Sequence, residues 1–105
     1  MFYHIVMLRF DDQAGPDFHA RVADYAARVR RECAGVIRYD YGVNAAARGK
    51  GCSHAVLSLF ESSAAHDAYQ ASPAHQEMKA FMMPRIAEIV ACDAEPPEPA
   101  AAARP

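Results

Sequence analysis

The segment Phe2-Tyr-His-Ile-Val-Met-Leu-Arg-Phe10 is rich in aromatic and β-branched residues, which marks it as a strand. Alternation places Phe2, His4, Val6, Leu8 and Phe10 on one side and Tyr3, Ile5 and Met7 on the other, so both faces are apolar. Such a strand needs a covering layer above and below its sheet. A chain of 105 residues has room for one modest core and not for two. Helices of the same chain can cover one face. The second needs another subunit.

Asp11 to Pro16 reads as a turn leading into a helix. Phe18, Val22, Tyr25, Val29 and Cys33 then recur at helical spacing and form one apolar stripe. Asp17 with Arg21 and Asp24 with Arg28 are expected as i,i+4 ion pairs, and Arg28, Arg30 and Arg31 crowd the helix end, where cations suit the dipole. That cluster reads as a solvated helix end rather than an anion site. Ala34-Gly35 closes the helix. Val36 to Val43 is a second strand, with Ile37, Tyr39, Tyr41 and Val43 on one face and Arg38, Asp40 and Gly42 on the other.

Residues 44–52, with Gly49 and Gly51, read as a flexible loop whose pattern does not match a phosphate-binding motif. Cys52 lies in it with nothing nearby in sequence to activate a thiol. His54 to Phe60 is a third strand, carrying His54, Val56, Ser58 and Phe60 on one side. Ser62 or Ser63 caps a short helix through Tyr69, on which His66, beside Asp67, is expected to be solvated, as is His19 on the first helix. Ser72-Pro73 opens a further helix, Pro84 ends or kinks it, and Glu88 to Asp93 is expected as the last strand. The Pro/Ala-rich residues 94–105 have nothing to bury and are expected to be a disordered tail behind a domain of residues 1–93.

The order is β-α-β-β-α-β with the second helix split in two. It specifies an α+β, ferredoxin-like fold: a four-stranded antiparallel sheet with helices on one face. A homodimer through the bare sheet faces would hide the apolar residues left over. A net charge of −2 argues against nucleic acid, and no apolar run approaches the roughly 20 residues of a membrane helix. The start lacks a charged leader, and Cys33, Cys52 and Cys92 have no paired motif, so reduced thiols in the cytoplasm are expected.

Acid/base candidates concentrate between Tyr69 and Met82. Ser72 is a suitable N-cap and Pro73 a suitable first helical residue, which puts His75 in the first turn. Met78 and Met82, at i+3 and i+7, turn the imidazole toward apolar surroundings. A helix start and an apolar face both disfavour imidazolium, so His75 is expected to be neutral and able to accept a proton. A helix-start histidine that merely bonds backbone is the competing reading. His54 has the parity to share a face with His4, but no ligand spacing supports a metal site.

Three segments resemble the stress-responsive A/B barrel (Dabb) domain family: His4 to Phe10, Ser53 to Ser62, and Tyr69-Gln-Ala-Ser-Pro-Ala-His75-Gln. The resemblance spans roughly residues 3 to 93, and the Pro-Ala-His element is its most specific part. It implies a dimeric α+β barrel, in which two such sheets face each other. It also implies, by its likeness to the plant olivetolic acid cyclases of that family, a cofactor-free aldol closure of a hydrophobic polyketide. On that likeness His75, Tyr69 and His4 are the candidate catalytic residues, with His75 as base. Tyr25 lies close to a helix tyrosine of those cyclases but is offset by about one position, a rotation of roughly 100°. The bland alternative is a non-catalytic dimeric stress-associated or ligand-binding domain with structural histidines.

Overall fold

The computed structural model describes residues 1–97. Strand β1 spans Phe2–Phe10, helix α1 Pro16–Glu32, β2 Val36–Val43, β3 His54–Phe60, α2 Ser63–Ala71, α3 Pro73–Met82 and β4 Ile86–Ala94, with a 3-10 turn at Met83–Arg85 before β4. The four strands form one antiparallel sheet in the order β2-β3-β1-β4. The ferredoxin-like topology expected from the element order is the one observed. β4 is longer than expected and includes Ala94; of the tail expected to be disordered, residues 98–105 lie outside the described residues.

The inner face of the sheet packs on the helices. His4, Val6 and Leu8 of β1, Tyr39 of β2 and Val56, Ser58 and Phe60 of β3 are buried against Val22, Ala26 and Val29 of α1, Tyr69 of α2 and Met78 and Met82 of α3. These are the alternate strand residues and the helical stripe that period alone selects. β2 departs from simple alternation. Its register against β3 slips between Val36 and Arg38, so that Val36 pairs with Phe60 and Ile37 is the extra residue of a bulge. Ile37, expected on the inner face, is instead 44% exposed, while Val36 packs against the core.

Several local expectations are corrected by packing. Arg28 does not pair with Asp24; its guanidinium reaches Glu32 and, across to α3, Glu77, at 2.9 and 3.1 Å. Arg21 lies 4.8 Å over the Phe81 ring instead of bonding Asp17. Cys52 is buried rather than held in a loose loop, and its carbonyl accepts from Asn44 Nδ2 at 2.9 Å. Gly35 is required where α1 turns into β2: its φ is +82°, and a Cβ there would meet the Ala65 Cβ at 2.6 Å.

Helices α1 to α3 lie over the inner face near β1, β2 and β3, and leave the edge strand β4 uncovered: Ile89, whose register opposite Leu8 turns it inward, is 54% exposed. Among the described residues nothing covers the outer face. Tyr3, Leu57 and Val90 on it are 41%, 50% and 54% exposed. No helix among the described residues is long and apolar enough to cross a membrane.

Candidate functional site

The gap over β4 is a cavity of about 360 Å³ between the inner face of the sheet and α3. Val6, Leu8, Val56, Met78 and Met82 give it apolar walls, and His4, Tyr69 and His75 all face it. A volume of this size suits a small organic molecule. The three residues named as catalytic candidates are therefore brought together by one sheet strand and two helix ends.

Two caps set this geometry. Ser62 Oγ accepts from Ala65 N at 3.1 Å and starts α2. Ser72 ends α2 and starts α3 at once: its Oγ donates to Tyr69 O at 2.6 Å and accepts from His75 N at 3.2 Å. One hydroxyl thus ties the backbones of Tyr69 and His75 to each other, and their rings come to 4.5 Å between centroids.

His75 is held in a definite tautomer. Its Nδ1 lies 3.1 Å from Gln70 O, and a carbonyl can only accept, so Nδ1 carries the proton. Nε2 is then the basic nitrogen, and it has no hydrogen-bond partner among the described residues. Burial lowers the pKa of His75 from its ordinary value; Lys79 and His4 add to this and the Gln70 carbonyl opposes it. The neutral form expected from the sequence is what the surroundings favour, with burial as the main cause.

Tyr69 is 2% exposed, and its hydroxyl is 2.7 Å from the hydroxyl of Tyr39. Tyr39 is also fully inside and can donate to Met78 Sδ at 3.8 Å. Burial pushes both phenols far above their usual range, so they are donors and not phenolates at neutral pH. His4 Nδ1 donates to Asp93 Oδ1 at 2.5 Å across the β1–β4 pairing. Its ring lies tilted against His66, with centroids 4.4 Å apart, and 5.8 Å from Tyr69.

Tyr39, Asp93 and His66 thus join the site without having been singled out in the sequence. His66, expected to be solvated, is 4% exposed, among Phe2, His4, Phe60 and Tyr69. Its position three residues before Tyr69 puts both on one helix face, a signal present in the sequence. Burial first, and then His4, lowers its pKa. His4, His66 and Asp93 are also the described residues whose donor atoms lie close enough together to hold a metal ion.

The remaining histidines lie elsewhere. His54 does share the inner face with His4 but pairs opposite Leu8, at the far end of the strand. There it stacks at 3.9 Å on His19, whose Nδ1 is 2.8 Å from the Tyr41 hydroxyl. His19 is therefore half-buried and bonded rather than free in solvent. Tyr25 packs on Phe81 and does not line the cavity, as its one-position offset implies.

Similarity to known proteins agrees with this architecture. Searching the curated proteins finds no match. Among solved structures, a protein of Arabidopsis thaliana superposes with a TM-score of 0.82 at 20% identity, covering 95% of this chain and 99% of that one. The hydroxynitrile lyase of Passiflora edulis gives 0.81 at 20% identity, over 93% and 94% of the two chains. A dimeric ferredoxin-like protein from Jannaschia sp. CCS1 gives 0.80 at 23% identity, over 90% and 97%. At such identities the likeness is one of fold. The sequence itself matches the model of the stress responsive A/B barrel domain over residues 2–96, and with that match the chain belongs to the Dabb family.

Proposed function

We propose that the chain is a cofactor-independent enzyme performing acid/base chemistry on a hydrophobic carbonyl compound, in the manner of an aldol ring closure of a linear polyketide. What supports this reading above all is the convergence of His75, Tyr69 and His4 on one apolar cavity, with the His75 proton fixed on Nδ1. His75 Nε2 takes a proton from the carbon between two carbonyls, and the Gln70 carbonyl holds the imidazolium that results. The Tyr69 hydroxyl turns from Tyr39 to the enolate oxygen, while the Tyr39 hydroxyl donates to Tyr69 behind it. The enolate carbon then attacks a second carbonyl of the same chain. A C–C bond forms, the C=O π bond opens, and the new alkoxide takes back the proton from His75. His4, aimed by Asp93, orients the second carbonyl.

The reading includes a homodimer. A second copy seated on the outer sheet face would cover Tyr3, Leu57 and Val90, and the structural neighbours from Jannaschia and Thermobifida fusca are dimeric. The Passiflora edulis neighbour is a hydroxynitrile lyase, so the fold carries lyase chemistry elsewhere.

The test is a panel of poly-β-keto thioesters of increasing chain length, with ring closure followed by mass and absorbance. The wild-type chain is expected to accelerate closure of at least one. His75→Ala should retain the circular dichroism of the wild type and lose about 10²–10⁴-fold in rate, the usual contribution of a positioned general base. A panel on which the wild type does nothing, or a His75→Ala variant of undiminished rate, refutes the proposal.

A further inference from the structure

Two imidazoles and a carboxylate meet beside the cavity in a way that proton chemistry leaves half explained. His4 on β1 and His66 on α2 are both buried, at 7% and 4% exposure, with their rings 4.4 Å apart. Asp93 on β4 closes the group, and one donor atom from each of the three lies within 4.8 Å of the others. The Asp93 hydrogen bond accounts for His4. Among the described residues His66 has no comparable partner: its Nε2 meets the Gln70 side-chain amide at 3.4 Å. A ring that packed for shape alone would do as well as phenylalanine at this position, without placing polar nitrogens among aromatic neighbours. Neutral imidazole is, however, the form that ligates a metal.

From this we infer that His4, His66 and Asp93 form a site for a divalent first-row transition ion of the Zn²⁺ class. Two imidazoles and one carboxylate are the donor set such ions prefer over Mg²⁺ or Ca²⁺, which favour all-oxygen ligation. Bonds of about 2.0–2.1 Å require donors about 3.3 Å apart in a tetrahedral arrangement. The ion would therefore enter the His4–Asp93 contact, replacing the shared proton, which leaves to solvent, and spreading the 2.5 Å pair while His66 moves in. Asp93 can make that adjustment, because its side chain is 42% exposed and it stands on an edge strand next to the last residue of β4. The three ligands come from three separate elements, so the ion would clamp α2 and β4 to β1. With three protein ligands it keeps a fourth position open, beside the cavity that His4 lines. The site shares His4 and Asp93 with the catalytic proposal, but its test reads binding and stability and no turnover, so the two can fail separately.

The experiment titrates Co²⁺, and separately Zn²⁺, into the full chain with the thiols kept reduced, following the visible Co²⁺ bands, stoichiometry by dialysis and the melting temperature. One ion per chain is expected, without a thiolate charge-transfer band and with a raised melting temperature. His66→Phe keeps a ring in the packing and should weaken binding at least about tenfold, the floor set by losing even an outer-shell partner. Asp93→Asn, at the exposed end of the group, should weaken it as well, and decides the matter should His66→Phe fail to fold. Absence of saturable binding, unchanged affinity in the folded variants, or loss of binding in Cys92→Ser instead would overturn the inference.

Discussion

The Tyr39–Tyr69 hydroxyl pair gives a sharp quantitative prediction. Both rings are in the core, at 1% and 2% exposure, and the oxygens are 2.7 Å apart. A net hydrogen bond contributes about 0.5–1.5 kcal/mol, and stranding one buried partner costs about 1–3 kcal/mol. Tyr39→Phe leaves the Tyr69 hydroxyl without its partner at the cavity wall, where water can reach it, so a loss of about 1–2 kcal/mol is expected. Tyr69→Phe leaves Tyr39 the Met78 sulfur at 3.8 Å as a fallback acceptor, so its loss should be the smaller of the two. In the double variant no hydroxyl is stranded. Its cost should match the larger single loss, giving a coupling energy of about 1 kcal/mol. The assay is urea unfolding of all four proteins at one fixed concentration, since a dimer's stability depends on concentration. In thermal melts the Tyr39→Phe loss corresponds to a fall of about 4–8 °C per kcal/mol for a domain this size. Strict additivity of the two single losses, to within about 0.3 kcal/mol, would show that the hydroxyls do not act on each other.

Three other outcomes follow from the same geometry. Ser72→Ala removes the hydroxyl that caps α3 and ties it to Tyr69, and should cost about 1 kcal/mol, measured by urea unfolding. Leu57→Glu puts a charge at the middle of the outer sheet face, where the side chain is 50% exposed, and should yield monomers in sedimentation at concentrations where the proposed wild-type dimer forms; an unchanged sedimentation coefficient would remove the outer face from the interface. His54, His66 and His75 all have folded pKa values below the ordinary 6.5, so the unfolded chain binds more protons as pH falls through and below that value. Stability should thus be full above about pH 6.5 and decline under it, and the imidazole resonances of all three should titrate below 6.5. Titration of any of them above that value would contradict the burial assigned to it.

Much of the fold is legible because strands and helices write their faces at different periods. Val6, Leu8, Val56 and Phe60 fall inward by simple alternation, and Ser72-Pro73 marks the break between α2 and α3 to the residue. What escaped depends on distances that no local pattern encodes. The bulge at Ile37 is set by pairing with β3, and a one-residue slip reverses the face of everything before it. Asp93 comes to His4 only through the register of β4 on β1, 89 residues apart in sequence. Tyr39 has inward parity that is plain in the sequence, but its hydroxyl reaches Tyr69 through the depth of the core. Arg28 passes over Asp24 for Glu77, because α3 brings a second carboxylate beside Glu32. His66 is different: its spacing from Tyr69 was readable, and the charged neighbour Asp67 obscured it.

The strand order has a consequence for assembly in time. β1 sits between β3 and β4, and its pairing with β4 joins Tyr3 to Ala94 and His4 to Asp93. β1 therefore cannot acquire its second neighbour until β4 has emerged, and contacts so distant in sequence close slowly. Until then one edge of β1 is an open template for other chains, and the outer face beside it is bare as well. His4 has no carboxylate to bond during that interval. Whatever the cavity does, it becomes competent only once β4 has paired, so a nascent chain arrested between His75 and Asp93 holds His4, Tyr69 and His75 and still lacks the group that positions one of them.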